Sequence, residues 1–303
     1  MKTELITILG PTATGKTQLA AQLAFQLEGE VISADSRQVY RGMDIGTGKD
    51  LDDYVINGVR VPYHLIDIAD PGYEYNVYEY QHDFYKIWTD ILQRQKQPVL
   101  CGGSGLYIQS VLEGYKLVKV PPDQDLRLNL EQYPDEELEK MLSKLTKLHN
   151  VSDTSSRKRM IRAIEIAKYY KENQTREMNA YPPVKSKLFG IHFDREIIRK
   201  RITQRLKDRL RNGMITEVEA ILASGITADK LKYYGLEYKF ITMYITGELS
   251  YSQMFEKLNI AIHQFAKRQM TWFRKMEREG FEIKWIDGEK SIEFKVRFII
   301  NEL

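Results

Sequence analysis

Gly10-Pro11-Thr12-Ala13-Thr14-Gly15-Lys16-Thr17 follows directly on the apolar run Leu5-Ile6-Thr7-Ile8-Leu9 and precedes Gln18-Leu19-Ala20-Ala21-Gln22-Leu23-Ala24. Strand, glycine loop and amphipathic helix are the setting in which the G-x-x-x-x-G-K-[ST] pattern binds phosphate. The glycines let the backbone curl until several N–H groups converge, and the helix that follows adds the positive end of its dipole. Lys16 is positioned to neutralise phosphate oxygens and the Thr17 hydroxyl to hold magnesium bridging them. A di- or triphosphate is the expected ligand of Gly10 to Thr17.

Working outward, the first third alternates strand and helix. Val31-Ile32-Ser33-Ala34 and Leu65-Ile66-Asp67-Ile68 read as short strands, the second closed by Asp70-Pro71-Gly72. Tyr78 to Gln95 has helical periodicity, with Phe84, Ile87, Trp88 and Ile91 on one face. Pro98 to Gly103 reads as a buried strand ending in a glycine turn, and Gly105 to Leu112 as a helix. This order predicts an α/β fold, a P-loop NTPase-like parallel sheet flanked by helices. Phosphate sites in such sheets gather at the carboxyl ends of the strands.

From Pro121-Pro122 to Asn150 the pattern changes to short charged helices, Asp135 to Leu148 being the clearest. The expected division is a core over 1–120 and 151–303 with a small helical insertion over 121–150. Ser152 or Asp153 is expected to cap a helix from Ser155 to Lys171. Leu188 to Phe193 supplies a last core strand, and the C-terminal part is mainly helical, from Arg195 to Ala223 and Ser252 to Arg278.

Composition narrows the function classes. The 303 residues are 43% hydrophobic and 29% charged, as in an ordinary globular protein, and no window approaches a membrane span. The chain enters a strand almost at once, so a cytoplasmic protein without a secretory signal is expected. A single cysteine, Cys101, excludes a disulfide framework and a cysteine-based zinc site. The net charge of +3 is small, but its distribution is uneven. Basic side chains crowd 155–171, 194–211 and 263–275, which suggests a polyanionic partner.

Asp35 ends the second strand, where its carboxylate would lie beside the phosphates and Lys16; it could hold magnesium or act as general base. Ser36, Arg37 and Gln38 line the same rim. The strand ending at Cys101-Gly102-Gly103-Ser104-Gly105 lacks the carboxylate that an ATPase usually carries there, which favours small-molecule group transfer over a motor or switch. Arg201, Arg205 and Arg209 recur every four residues on one helix face. They could clamp a diphosphate or contact an RNA backbone. The five histidines are scattered and read as packing or surface residues.

Several segments together resemble the tRNA dimethylallyltransferases (tRNA isopentenyltransferases) of bacterial type. They are the phosphate loop, Ile32 to Tyr40, Gly42-Met43-Asp44-Ile45-Gly46-Thr47, Tyr63-His64-Leu65-Ile66-Asp67, Gly102 to Tyr107, Arg159 to Glu165 and Ala266 to Arg274. The resemblance implies transfer of a dimethylallyl group from dimethylallyl diphosphate to N6 of the adenosine just 3′ of the anticodon, with release of diphosphate. It implies Asp35, Thr17 and Arg205 as catalytic residues, Gly10 to Thr17 as the diphosphate cradle, and Mg2+ at Thr17. It also implies tRNA contacts by Asp35, Ser36, Arg37, Gln38, Ser104, Arg127, Lys158, Arg159 and Arg162. Lys267 and Arg268 of the third basic segment extend that surface. A monomer acting on tRNA, without a membrane, is expected. The chain departs from the family pattern at Ser152–Lys158 and at Tyr234-Gly235-Leu236-Glu237-Tyr238-Lys239. The alternatives are prenylation of free AMP or adenine, which needs no RNA surface, and a phosphate-loop kinase, which would need a lid.

Overall fold

The computed structural model describes residues 5–145, 156–173 and 181–303. Two compact units divide the chain, Met1–Tyr115 with Tyr181–Leu303, and Lys116–Ala180.

In the first unit the side chains of each strand divide between two apolar layers with a period of two. Leu5 and Leu9 enter one layer and Ile6 and Ile8 the other; Ile32 and Ala34 oppose Val31, and Leu100 opposes Val99 and Cys101. Strands buried on both faces belong to a parallel sheet covered twice by helices. Among the described residues the main sheet has six strands. They are β1 (Ile6–Leu9), β2 (Glu30–Ala34), β5 (Tyr63–His64), β6 (Pro98–Gly102), β7 (Lys187–His192) and β8 (Ile283–Asp287), in the order β5-β2-β6-β1-β7-β8. All five pairings are parallel. A separate hairpin joins β3 (Val55–Ile56) to β4 (Val59–Arg60).

Helices α1 (Lys16–Gln26) and α12 (Ile292–Asn301) cover one face. Helices α2 (Val77–Gln93), α3 (Gly105–Leu112) and the end of α11 (Tyr251–Arg278) cover the other. An Asn76–Glu79 capping box fixes the start of α2: the Asn76 side chain accepts from the Tyr78 and Glu79 amides, and Glu79 returns to the Asn76 amide. Such a cap is worth about 1 kcal/mol. The 28 residues of α11 bury Met254, Leu258, Ile262, Ala266, Gln269, Phe273 and Met276, one stripe at helical period. Its first half packs in a second apolar cluster with α7 (Arg195–Arg211), α8 (Met214–Ala223), α9 (Ala228–Leu231) and α10 (Leu236–Ile245).

Four sequence expectations are corrected. Leu65–Ile68 is not a strand, because Leu65 and Asp67 take φ of 60° and 56°, which turns the Asp67 carboxylate onto the buried Lys49 ammonium. The helix expected from Arg195 to Ala223 breaks after Arg211, at Gly213 with φ 95°. β7 is not the last core strand; β8 pairs beyond it with Leu188 opposite Ile283. The second unit is also wider than 121–150. It joins α4 (Gln124–Leu130) and α5 (Asp135–Leu145) to α6 (Arg157–Glu172) around Leu130, Leu138, Leu142, Met160, Ile161 and Ile164. Three helices can bury their stripes only together, so 156–173 goes with the insertion and not with the core. Ser156 occupies the N-cap of α6 without a side-chain bond, and the Ser152 and Asp153 expected there lie outside the described residues.

Candidate active site

Sheet register levels the strand ends. Leu9 pairs with both Gly102 and Gly190, and Gly102 pairs with Ala34. The next residues along these strands, Gly10, Asp35, Gly103 and Ile191, therefore emerge side by side at the carboxyl edge. The phosphate loop leaves β1 with Gly10 at φ 152°, where a Cβ would come within 2.8 Å of the Ile191 carbonyl. Ala13 and Gly15 also have positive φ, at 64° and 79°. Thr14 closes the turn by donating to the Pro11 carbonyl at 2.9 Å.

Lys16 Nζ donates to the Pro11 carbonyl at 2.7 Å, folding the ammonium back over the loop. Burial brings its pKa down to about 8, and the charges of Arg205, Asp35 and Asp50 all act on it. Thr17 stands in the first turn of α1, and its hydroxyl makes no hydrogen bond among the described residues. The thiol near Lys16, Cys101, is pushed up to about 12 by burial and stays neutral. Hydroxyl and carboxylate oxygens are thus the donors on offer, a hard set that fits magnesium.

Asp35 Oδ1 accepts the Arg37 amide at 2.8 Å, an Asx turn that holds the carboxylate at the strand end. Ser36 and Ser104 meet: the Ser36 amide donates to Ser104 Oγ at 3.0 Å. Arg37 lies over the half-exposed Tyr233 ring, 5.4 Å from its centroid. Gln38 faces inward, its amide accepting from Ser33 Oγ and donating to the Gly48 carbonyl, both at 3.0 Å. In this arrangement Gln38 braces the loop and does not line the rim.

The arginine face of α7 converges on the phosphate loop. Arg201 Nε donates to the Ala13 carbonyl at 2.9 Å and its guanidinium sits 4.5 Å from the Phe193 centroid. Arg205 donates to Thr12 Oγ1 at 3.2 Å and to Asp50 Oδ2 at 2.6 Å. Arg209 pairs with Asp50 at 3.4 Å. Lys267 and Arg268 are exposed on α11.

In the second unit the local charge count misleads. Arg127 makes a two-pronged pair with Glu165, Nε and Nη2 both at 2.9 Å, and Arg162 binds the same carboxylate. Burial pushes Glu165 up, but the Arg127 hydrogen bond and its other partners outweigh it and hold the carboxyl below its usual range. Arg157 pairs with Glu131 and Asp135. Lys158 and Arg159 are exposed at the start of α6.

Gln269 is the residue that sequence reasoning missed. Only 7% exposed, it accepts the Thr12 amide at 2.9 Å and donates to the Gly103 carbonyl at 3.0 Å, tying α11 to the phosphate loop and β6. The signal was present as a glutamine in register with Ala266 and Phe273 on an apolar stripe, obscured by the basic residues beside it.

Fold and site together define an α/β phosphate-loop protein with a carboxylate and an arginine helix around the loop. A family model for IPP transferase matches residues 38–276, and one for isopentenyl transferase matches residues 3–67. The chain belongs to the IPP transferase family. It is 57% identical over 304 residues to a protein of Parabacteroides distasonis named tRNA dimethylallyltransferase 1, covering 99% of each. It is 56% identical to tRNA dimethylallyltransferase 2 of Phocaeicola vulgatus, covering 100% of this chain and 98% of the relative. The crystal structure of the full-length tRNA isopentenylpyrophosphate transferase of Bacillus halodurans superposes with a TM-score of 0.71 at 32% identity, covering 100% of this chain and 95% of that one.

Proposed function

We propose that this chain transfers a dimethylallyl group from dimethylallyl diphosphate to N6 of the adenosine just 3′ of the anticodon in tRNA, releasing diphosphate. The observation that carries the reading is the sheet order. Asp35 directly follows β2 and the phosphate loop directly follows β1, with β6 between them running out into Gly103. Two strand spacings separate base and phosphate cradle by about 10 Å, room for a small allylic group and its acceptor nitrogen. The relatives named above supply the acceptor class.

In this reading the loop amides, Lys16 and Arg205 bind the diphosphate and stabilise the charge that grows on it as the allylic C–O bond breaks. N6 supplies the electron pair for the new C–N bond, and its proton passes to the Asp35 carboxylate, whose orientation the Arg37 amide fixes. The Thr17 hydroxyl would hold magnesium, which when bound neutralises diphosphate charge. Reaching the site requires the adenosine to leave its stack. Ser36, Arg37, Ser104, Lys267 and Arg268 in the first unit and Arg127, Lys158, Arg159 and Arg162 in the second are the proposed tRNA contacts. Gln38 supports them from beneath.

The test offers labelled dimethylallyl diphosphate and magnesium with unmodified tRNA, AMP or adenine. Label should enter tRNA alone, and Asp35→Asn should lower kcat by about 10²- to 10⁴-fold while diphosphate still binds. Label in AMP but not in tRNA overturns the acceptor, and an active Asp35→Asn overturns the base.

A further inference from the structure

Asp50 makes contacts that the chemistry above leaves unused. It ends the loop that follows Tyr40, with φ 45°, just before the turn Leu51–Tyr54. Its carboxylate receives Arg205 at 2.6 Å and Arg209 at 3.4 Å. The other terminal nitrogen of Arg205 donates to Thr12 Oγ1 of the phosphate loop at 3.2 Å. Arg205 therefore spans from the Asp50 carboxylate to the phosphate loop.

The loop is shaped to receive both guanidiniums. A Cβ at Gly48 would stand 1.8 Å from Arg209 Nη2 and 2.6 Å from Arg205 Nη2, so a side chain there would displace both guanidinium tips, and the φ of 67° favours glycine as well. The loop itself is pinned. Fully buried Lys49 Nζ binds the Tyr40 carbonyl at 2.8 Å and the Asp44 and Asp67 carboxylates. From α8, Glu217 accepts the Asp44, Ile45 and Gly46 amides at 2.8, 2.6 and 3.0 Å, and the Tyr238 hydroxyl at 2.7 Å.

We propose that Asp50 is a positioning residue for the transfer, holding Arg205 and Arg209 side by side with the free edge of Arg205 turned to the phosphate loop. Two guanidiniums this close to one backbone repel each other, and burial beside Arg205 holds Arg209 below the usual arginine range. The bridging carboxylate offsets that repulsion and fixes the fork before the diphosphate arrives, so no reorganisation is needed as charge develops. The inference rests on the reading that Arg205 binds diphosphate.

A double-mutant cycle separates the two. kcat/KM is measured with dimethylallyl diphosphate and unmodified tRNA for the wild type, D50N, R205A and the pair, with the Tm of each. D50N is expected to lower kcat/KM by roughly 10- to 100-fold, and R205A by about 10²- to 10³-fold. The double variant should be no slower than R205A, because Asp50 acts through that side chain. D50E restores the charge and should recover most of the loss, and D52N, which removes a charge from the same turn at an exposed site, should stay within about twofold of wild type. A wild-type-like D50N, a D50E no better than D50N, a D52N as slow as D50N, or losses that multiply in the pair overturns the assignment while leaving the Arg205 reading intact. A fully active R205A overturns the Arg205 reading itself, and Asp50's role with it.

Discussion

Gln269 Oε1 accepts the amide hydrogen of Thr12 at 2.9 Å, placing a buried side chain of the long C-terminal helix on the phosphate loop. Its Nε2 at the same time serves the Gly103 carbonyl. The amide thus bridges the ends of two neighbouring strands, β1 and β6. Gln269→Leu leaves a backbone donor and acceptor unpaired, each costing about 1–3 kcal/mol where water cannot reach. A lower Tm and a higher KM for dimethylallyl diphosphate are expected, read by thermal melts and steady-state kinetics. A variant with both unchanged would show that the bridge does not hold the loop.

Gly105 decides how α3 meets α11. A Cβ there would lie 2.2 Å from Trp272 Cδ1, and the Trp272 indole donates to Gln109 at 3.0 Å. Gly105→Ala must displace the indole and break that bond. A loss of about 1–3 kcal/mol is expected from overpacking, and urea unfolding monitored by tryptophan fluorescence reports it.

On the proposed reading, Lys16 should make diphosphate binding sensitive to alkali. With its pKa brought down to about 8 by burial, the free protein loses the ammonium as pH rises through that value. A bound diphosphate favours the charged form, so above about pH 8 binding must take up a proton and weakens, by up to tenfold per pH unit. Calorimetry with inorganic diphosphate in two buffers of different ionisation enthalpy should detect that uptake at pH 9 and little of it at pH 7.

Asp53 is a carboxylate held in an unfavourable place. Burial, and then the neighbouring Asp50 charge, raise its pKa from 3.8 to about 6. Below pH 3.8 it is protonated in folded and unfolded chains alike. Between there and about 6 the folded protein binds the extra proton, so stability declines as pH rises, and the full penalty applies above 6. Asp53→Asn should therefore raise Tm at pH 7.5 and leave it unchanged near pH 4.

Much of the fold was legible because its signals are local. The run Leu5–Leu9, the glycine loop and the helix behind it specify a strand, a tight turn and a helix dipole without reference to the rest of the chain. The helix over Gly105–Leu112 agrees with its expected bounds for the same reason. Asp35 at the end of β2 followed from where an apolar run stops.

Everything that depends on pairing at a distance had to wait for the tertiary structure. The sequence located the glycine loop and the carboxylate at the strand ends. It could not show that Gly103 and Gly105 make room for Gln269 and Trp272, or that β8 adds a strand beyond β7. Nor could it show that Glu165 already holds Arg127 and Arg162, two of the expected tRNA contacts. These contacts join residues far apart in the chain, and no periodicity encodes them. Whether a buried amide or carboxylate is satisfied, and which arginine faces the phosphate loop, is settled by which backbones come within hydrogen-bonding distance when the layers close.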